Sequence, residues 1–435
     1  MGGFVKRWIV HPTTFWLLKT VMRKEPATVV MIEMKQAYTI KPQTAVASPD
    51  SSTTDLVFPI ELVAPVVGMA HSFIRRVLGR KSILSEADVR QLLDQDAFSE
   101  TFVPRSKVLE YLRRAVTGAV LVAESQEVIQ KDSFVVGDAL QLIGRLKDGS
   151  VNTVVTSTPY WAMRVYDEPG ERLWADGEYC SFGLEQTPEG FIRHSVEVLH
   201  ALLPKIAADG SVWWNIMDSY NTRTQIRGSA VETLHAMQGK DGRSWKDHEY
   251  LRYSAGHSYL KDGEQCLIPQ RIAQRAAQIG YYVKSTISWC KQATTPEPQQ
   301  SRVSRNVEYI LHLTRERTPK FNKSAYLELP SDLGGRQLLE SDKLSDFWYL
   351  PTSSGRDGHG AQFPVQLPGR CIAISTDPGD VVLDPFMGAG TTAVAAKKLE
   401  RSYIGFDVSA EYLATAERVL ASTTVQQPLF TAELR

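Results

Sequence analysis

The chain has 435 residues, of which 43% are hydrophobic and 23% charged, a composition that buries a core and excludes a disordered or fibrous protein. Lys and Arg together number 49, as do Asp and Glu, so the net charge is zero and any nucleic-acid surface has to be a local patch. No apolar run reaches the ~18 residues of a membrane span. Cys180, Cys266, Cys290 and Cys371 form no Cys-x-x-Cys or zinc spacing, which predicts reduced thiols, no metal and a cytoplasmic location.

In chain order, residues 1–54 form an extension with little pattern. Phe15 to Leu18 is short and is closely followed by Lys19 and Arg23, so a signal peptide there would be poorly formed. Met31 and Met34 are compatible with an extension ahead of a later start. Thr44 to Thr54, rich in Ser, Thr, Ala and Pro, reads as a linker.

Residues 55–130 turn helical. Ile60, Val63, Val66 and Val67, then Phe73, Ile74 and Val77, recur at spacings of three and four. Ser85-Glu86-Ala87-Asp88 predicts a capped helix start, and Ser106 to Ala115 a further helix. Arg75 and Arg76, with Arg80 and Lys81, suit either DNA phosphates or an ordinary solvated face.

From Asp132 strands and helices alternate. Strands are predicted at Phe134–Val136, Val151–Thr156, Ser211–Ile216, Tyr282–Lys291, Val307–Arg315, Val381–Leu383 and Tyr403–Phe406, with amphipathic helices at Phe191–Ala207 and Leu267–Ile279. About seven strands with helices between them predict an α/β fold with a doubly wound, mostly parallel sheet. Ligands of such sheets sit at the strands' C-terminal ends. Asp138, Ser157, Asp384 and Asp407 all fall at such ends. The polar stretch 218–265 reads as an insertion. Its Arg223, Arg227, Arg243 and Lys246, interleaved with Trp245 and Tyr250, suit a DNA-facing loop.

The most informative stretch is Val381-Val382-Leu383-Asp384-Pro385-Phe386-Met387-Gly388-Ala389-Gly390-Thr391-Thr392. A buried strand runs into a glycine turn, and Thr391 and Thr392 open a helix whose first amides are free to bind. Ala393 replaces the third glycine of a dinucleotide fingerprint, and no Gly-Lys-Ser/Thr marks a phosphate loop. Asp407, ending the next strand, suits a ribose diol.

Asp-Pro-Phe-x-Gly-x-Gly-Thr-Thr resembles the S-adenosylmethionine motif of DNA amino-methyltransferases. Ser157-Thr158-Pro159-Tyr160, after the Val151 strand, resembles their catalytic corner. Its place upstream of the glycine motif resembles the permuted β group. The resemblance covers about 132–420. It implies a Rossmann-like methyltransferase sheet of seven strands, one of them antiparallel, and S-adenosylmethionine as cofactor. It divides the domain into a catalytic half (131–316), a target-recognition segment (317–358), a cofactor half (359–422) and a tail (423–435).

The resemblance also assigns residues. Asp138 would meet the adenine end of the cofactor, and Asp384, Pro385, Phe386, Gly388, Gly390, Thr391, Thr392 and Asp407 would form its turn. His359, Phe363 and Pro364 would close over the methionine part, and Arg302 and Arg305 would meet phosphates near the target base. Thr158 departs from the family pattern, which has Pro there. The position supplies a backbone carbonyl, which Thr keeps.

The chemistry follows from these residues. An exocyclic amine is delocalised into its ring, and acceptors on its N–H protons stabilise the move toward sp3. Ser157 Oγ and the Thr158 carbonyl would accept, Pro159 would stiffen the turn, and Tyr160 would stack on a base flipped from the duplex. Ser in the first position resembles N4-cytosine members, whereas Asp or Asn marks most N6-adenine members. The expected function is therefore N4-cytosine methylation of double-stranded DNA, by a monomer or homodimer, with a restriction endonuclease as genetic partner. N6-adenine methylation, an RNA or small-molecule methyltransferase and a catalytically degenerate DNA-binding module are the alternatives.

Overall fold

A computed structural model describes residues 56–118, 128–161, 170–221, 224–226, 251–253, 260–261, 263–292, 301–353 and 363–424, with short strand pieces at 10–11 and 14–15. The chain divides at residue 54 into two units. In the first, Val10–His11 pairs antiparallel with Thr14–Phe15.

The second unit is built on an eight-stranded sheet. Its strands are β1 (Ser133–Val136), β2 (Val151–Ser157), β3 (Ile206–Ile216), β4 (Tyr282–Lys291), β5 (Val307–Thr314), β6 (Phe347–Leu350), β7 (Val381–Asp384) and β8 (Ser402–Asp407). Their order is β6-β4-β5-β3-β2-β7-β8-β1. Within it β5 alone is antiparallel to its neighbours. All seven predicted strands are present. The eighth, β6, lies inside the stretch read as a target-recognition segment.

The central strands are rich in β-branched residues because both faces of the sheet are covered. Val154 and Trp214 enter one core, while their neighbours Val155 and Trp213 enter the other, as the two-residue period requires. Over the first face lie α5 (Ala139–Gly144), α6 (Pro188–Leu202) and α7 (Ile268–Gln278). The N-terminal helices α1 (Ile60–Val67), α2 (His71–Leu78), α3 (Glu86–Leu93) and α4 (Val108–Gly118) share this core, with Phe58, Ile60, Val63 and Val66 fully buried. Ser85 and Asp88 form the predicted capping box. Phe102 stacks on His200 of α6 at 4.8 Å, which ties the helical region to the sheet domain.

On the second face lie α8 (Gln366–Ser375) and α9 (Thr391–Lys398), with α10 (Ala410–Ser422) packed beside α9. Arg370 of α8 is fully buried. Its guanidinium grips Glu340 by two bonds of 2.8 Å and donates to the carbonyls of Gly334 (2.6 Å) and Gly335 (3.0 Å). A bidentate pair of this kind locks the chain before β6 onto α8. Much of 317–353 is therefore a fixed part of the sheet domain.

Candidate functional site

Strands β2, β7, β8 and β1 are adjacent and parallel, so their C-terminal ends share one edge of the sheet. Ser157 ends β2, Asp384 ends β7 and Asp407 ends β8. The two motif corners are also bonded to one another. Thr156 Oγ1 donates to Asp384 Oδ1 at 2.6 Å.

Asp384 works from inside the turn. Its carboxylate is 1% exposed and also accepts from Thr392 Oγ1 (2.7 Å) and the Phe386 amide (3.0 Å). Burial pushes its carboxyl up to about 6, against these bonds, which favour the ionised form. Asp384 and Thr392 thus shape the turn from below instead of facing its opening. Pro385 is buried beside them.

Asp407 holds the turn from the next strand, accepting from the Gly388 amide and the Ser409 amide at 2.9 Å each. Gly390 takes a φ of +90°, and a Cβ there would lie 2.7 Å from that of Ala416 in α10. Gly388 has a φ of +54°, and a Cβ there would meet nothing within 4 Å. The two glycines therefore differ in purpose. Gly390 lets two helices approach, and Gly388 presents bare backbone to open space. Thr391 is half-buried at the first turn of α9.

Phe386 is half-buried and stacks on Phe182 with centroids 5.3 Å apart. Phe363 and Pro364 are buried, Phe363 in the second core. Asp138 caps α5 through the Gln141 amide (3.0 Å) and pairs with Arg172. Arg172 in turn lies over the Trp174 ring at 5.1 Å. His359 lies outside the described residues, as do Arg223, Arg227, Arg243 and Lys246.

The Ser157 corner carries partners that the motif alone did not disclose. Asn215, near the end of β3, donates from Nδ2 to Tyr160 Oη at 2.8 Å and Glu308 Oε2 at 2.9 Å, and reaches Ser157 Oγ at 3.3 Å. Tyr160 donates its hydroxyl to Glu308 Oε2. Lys291, at the end of β4, pairs with Glu308 Oε1 at 3.0 Å. The Glu308 carboxylate reaches the corner because antiparallel β5 begins where its neighbours end. Thr158 is 4% exposed, and its Oγ1 has no hydrogen-bond partner among the described residues.

Behind the corner, Trp161 donates to the Glu185 carbonyl at 3.1 Å, and Glu185 Oε1 meets His194 Nδ1 at 3.0 Å. His194 Nε2 meets Asp176 at 3.2 Å. Glu178 and Cys180 bring ligand-type atoms within 4.8 Å of this ring. Both ring nitrogens already face carboxylates, so the cluster is an ion-pair centre.

Arg302 and Arg305 both stack on Tyr220, 3.9 and 5.2 Å from its centroid, and Arg305 donates to the Asp218 carbonyl at 3.1 Å. The Asp218 carboxylate caps α7 through the Leu267 and Ile268 amides (3.1 and 2.9 Å), fixing the start of the insertion. Arg75 and Arg76 are exposed on α2.

The DNA methylase family, by its N6/N4 methylase profile, matches residues 151–418, more than half of the chain. Type II methyltransferase M.XycI of Xanthomonas campestris pv. cyanopsidis is 31% identical over 290 residues, 66% of this chain and 87% of that protein. Type II methyltransferase M.Cfr9I of Citrobacter freundii is 30% identical over 277 residues, 64% and 83% of the two chains. Among solved structures, the cytosine-N4-specific PvuII DNA methyltransferase superposes with a TM-score of 0.46 at 17% identity, covering 67% of this chain and 86% of that one. The matched span begins with the strand that ends in Ser157 and runs past the glycine turn, taking in both corners of the shared edge. The chain belongs to the N6/N4 family of DNA methylases.

Proposed function

We propose that this DNA methyltransferase moves a methyl group from S-adenosylmethionine to the exocyclic N4 amine of a cytosine flipped out of duplex DNA. The observation that carries this reading is the shared edge. The Ser157 corner and the glycine turn stand on neighbouring parallel strands and are joined by the bond from Thr156 to Asp384.

The residues fit the cofactor. Gly388 offers bare backbone to open space, Gly390 starts a helix whose first turn takes no side-chain cap among the described residues, and half-buried Phe386 offers an aromatic wall. Asp407, which holds this turn through the Gly388 amide, ends the neighbouring strand on the same edge. Asp138, and His359 in the adjoining segment, complete the set that we assign to it. When bound, the cofactor supplies a methyl on a positive sulfonium, so no covalent enzyme intermediate is needed.

The protein's own part is positioning. Ser157 Oγ and the Thr158 carbonyl accept the amine protons, and Pro159 keeps that carbonyl aimed. Tyr160, its hydroxyl tied to Glu308, is held in a fixed orientation beside the base. Ser157 supports cytosine N4 over adenine N6. The two Type II relatives support a restriction–modification setting with a partner endonuclease.

DNA incubated with the protein and S-adenosylmethionine, then digested to nucleosides, should yield N4-methylcytosine. N6-methyladenine would overturn the base assignment, and the absence of any modified base would overturn the activity. Ser157→Ala should lower turnover by about 10²-fold or more while keeping the cofactor-induced rise in melting temperature. Full turnover in that variant would remove Ser157 from its role.

A further inference from the structure

Glu308 lies near the start of β5, 7% exposed, and faces the catalytic corner. One of its oxygens takes the Tyr160 hydroxyl and an Asn215 N–H, and the other takes Lys291. A tyrosine hydroxyl has one proton. With that proton committed to Glu308, the Tyr160 oxygen can act only as an acceptor toward its other neighbours. It accepts from Asn215 at 2.8 Å, and Ser157 Oγ lies 3.3 Å away. The Ser157 proton therefore points inward to Tyr160, and of the two Ser157 lone pairs one faces Asn215 Nδ2 at 3.3 Å and the other is left for a substrate N–H. A carboxylate at the buried end sets the direction of the whole chain.

We propose that Glu308 is a positioning residue for methyl transfer, orienting Ser157 through Tyr160 and receiving the proton that the amine must lose. The proposal rests on the methyl-transfer reading above. As the nitrogen bonds to the methyl carbon, the methyl–sulfur pair returns to sulfur, leaving a neutral thioether and a nitrogen with one proton too many. That proton passes to Ser157 Oγ, the Ser157 proton to Tyr160 Oη, and the Tyr160 proton to Glu308 Oε2. The products are a neutral methylamine and a neutral carboxyl. Among the described residues, Lys291 is the charged group on the other oxygen, with Asn215 the neutral donor from β3.

The test compares Glu308→Gln, Tyr160→Phe and the double variant with wild type. Glu308→Gln should lower kcat by about 10²-fold, with KM for DNA and the cofactor thermal shift changed less than about twofold. The double variant should be no slower than the slower single one, since both break one chain.

Wild-type kcat in Glu308→Gln would overturn the relay, as would multiplicative losses in the double variant. Should Glu308→Gln fail to fold, Tyr160→Phe keeps the Glu308–Lys291 pair, and full kcat there is equally fatal. A wild-type protein that methylates no base would sink the parent reading and this one together. An active wild type with an active Glu308→Gln sinks the relay alone.

Discussion

His194 shows how one side chain joins the core to the site. It is fully buried, stacked on Trp174 at 4.1 Å, and bonded at both ring nitrogens to Asp176 and Glu185. Burial lowers its affinity for a proton, but the two carboxylates outweigh burial and push it up to about 9. The folded value stands above the unfolded value of 6.5, so this contribution is complete below about 6.5 and is lost as pH rises through about 9. The denaturant midpoint should accordingly fall across that window. His194→Gln should flatten the slope and destabilise by about 3–5 kcal/mol, because Glu185 and Asp176 would lose a buried counter-charge. Equilibrium unfolding at a series of pH values measures both. Glu185 also receives the Gly183 amide at 3.1 Å and offers its carbonyl to Trp161, so a loosened His194 should slow turnover as well.

At the scale of elements, the strand–turn–helix from β7 to α9 separates two uses of glycine. Gly390→Ala meets both a positive φ and the Ala416 contact, and should cost roughly 1–3 kcal/mol and weaken cofactor binding. Gly388→Ala meets only the φ preference. It should stay folded while losing cofactor affinity through a methyl placed in open space. Thermal melts with and without S-adenosylmethionine distinguish the two. The turn was legible in the sequence because every part of it is contiguous: apolar run, Asp-Pro, glycines, helix start. The β6 segment was not. Four residues at the sheet edge give too short a pattern, and the pair that fixes them, Arg370 with Glu340, spans thirty positions.

For the whole molecule, a net charge of zero places DNA affinity on local patches. Arg75 and Arg76 are exposed on α2 with no ion pair among the described residues, whereas Arg113 is engaged by Glu86 at 2.6 and 2.7 Å. If α2 lies along the phosphate backbone, Arg75→Gln and Arg76→Gln should each reduce the slope of log affinity against log salt by about 0.9. Cofactor binding should be unchanged. Affinity measured at several salt concentrations decides whether this face meets DNA.

The sequence by itself determined the α/β alternation, the two motif corners and the family, because each is written in short contiguous runs whose periodicity and turn chemistry are local. Tertiary structure decided which residues complete the corner. Asn215, Glu308 and Lys291 come from three separate strands, and they converge on Ser157 and Tyr160 only because β5 runs against its neighbours and begins where they end. Strand direction is fixed by pairing across the whole sheet, and no local stretch of residues encodes it.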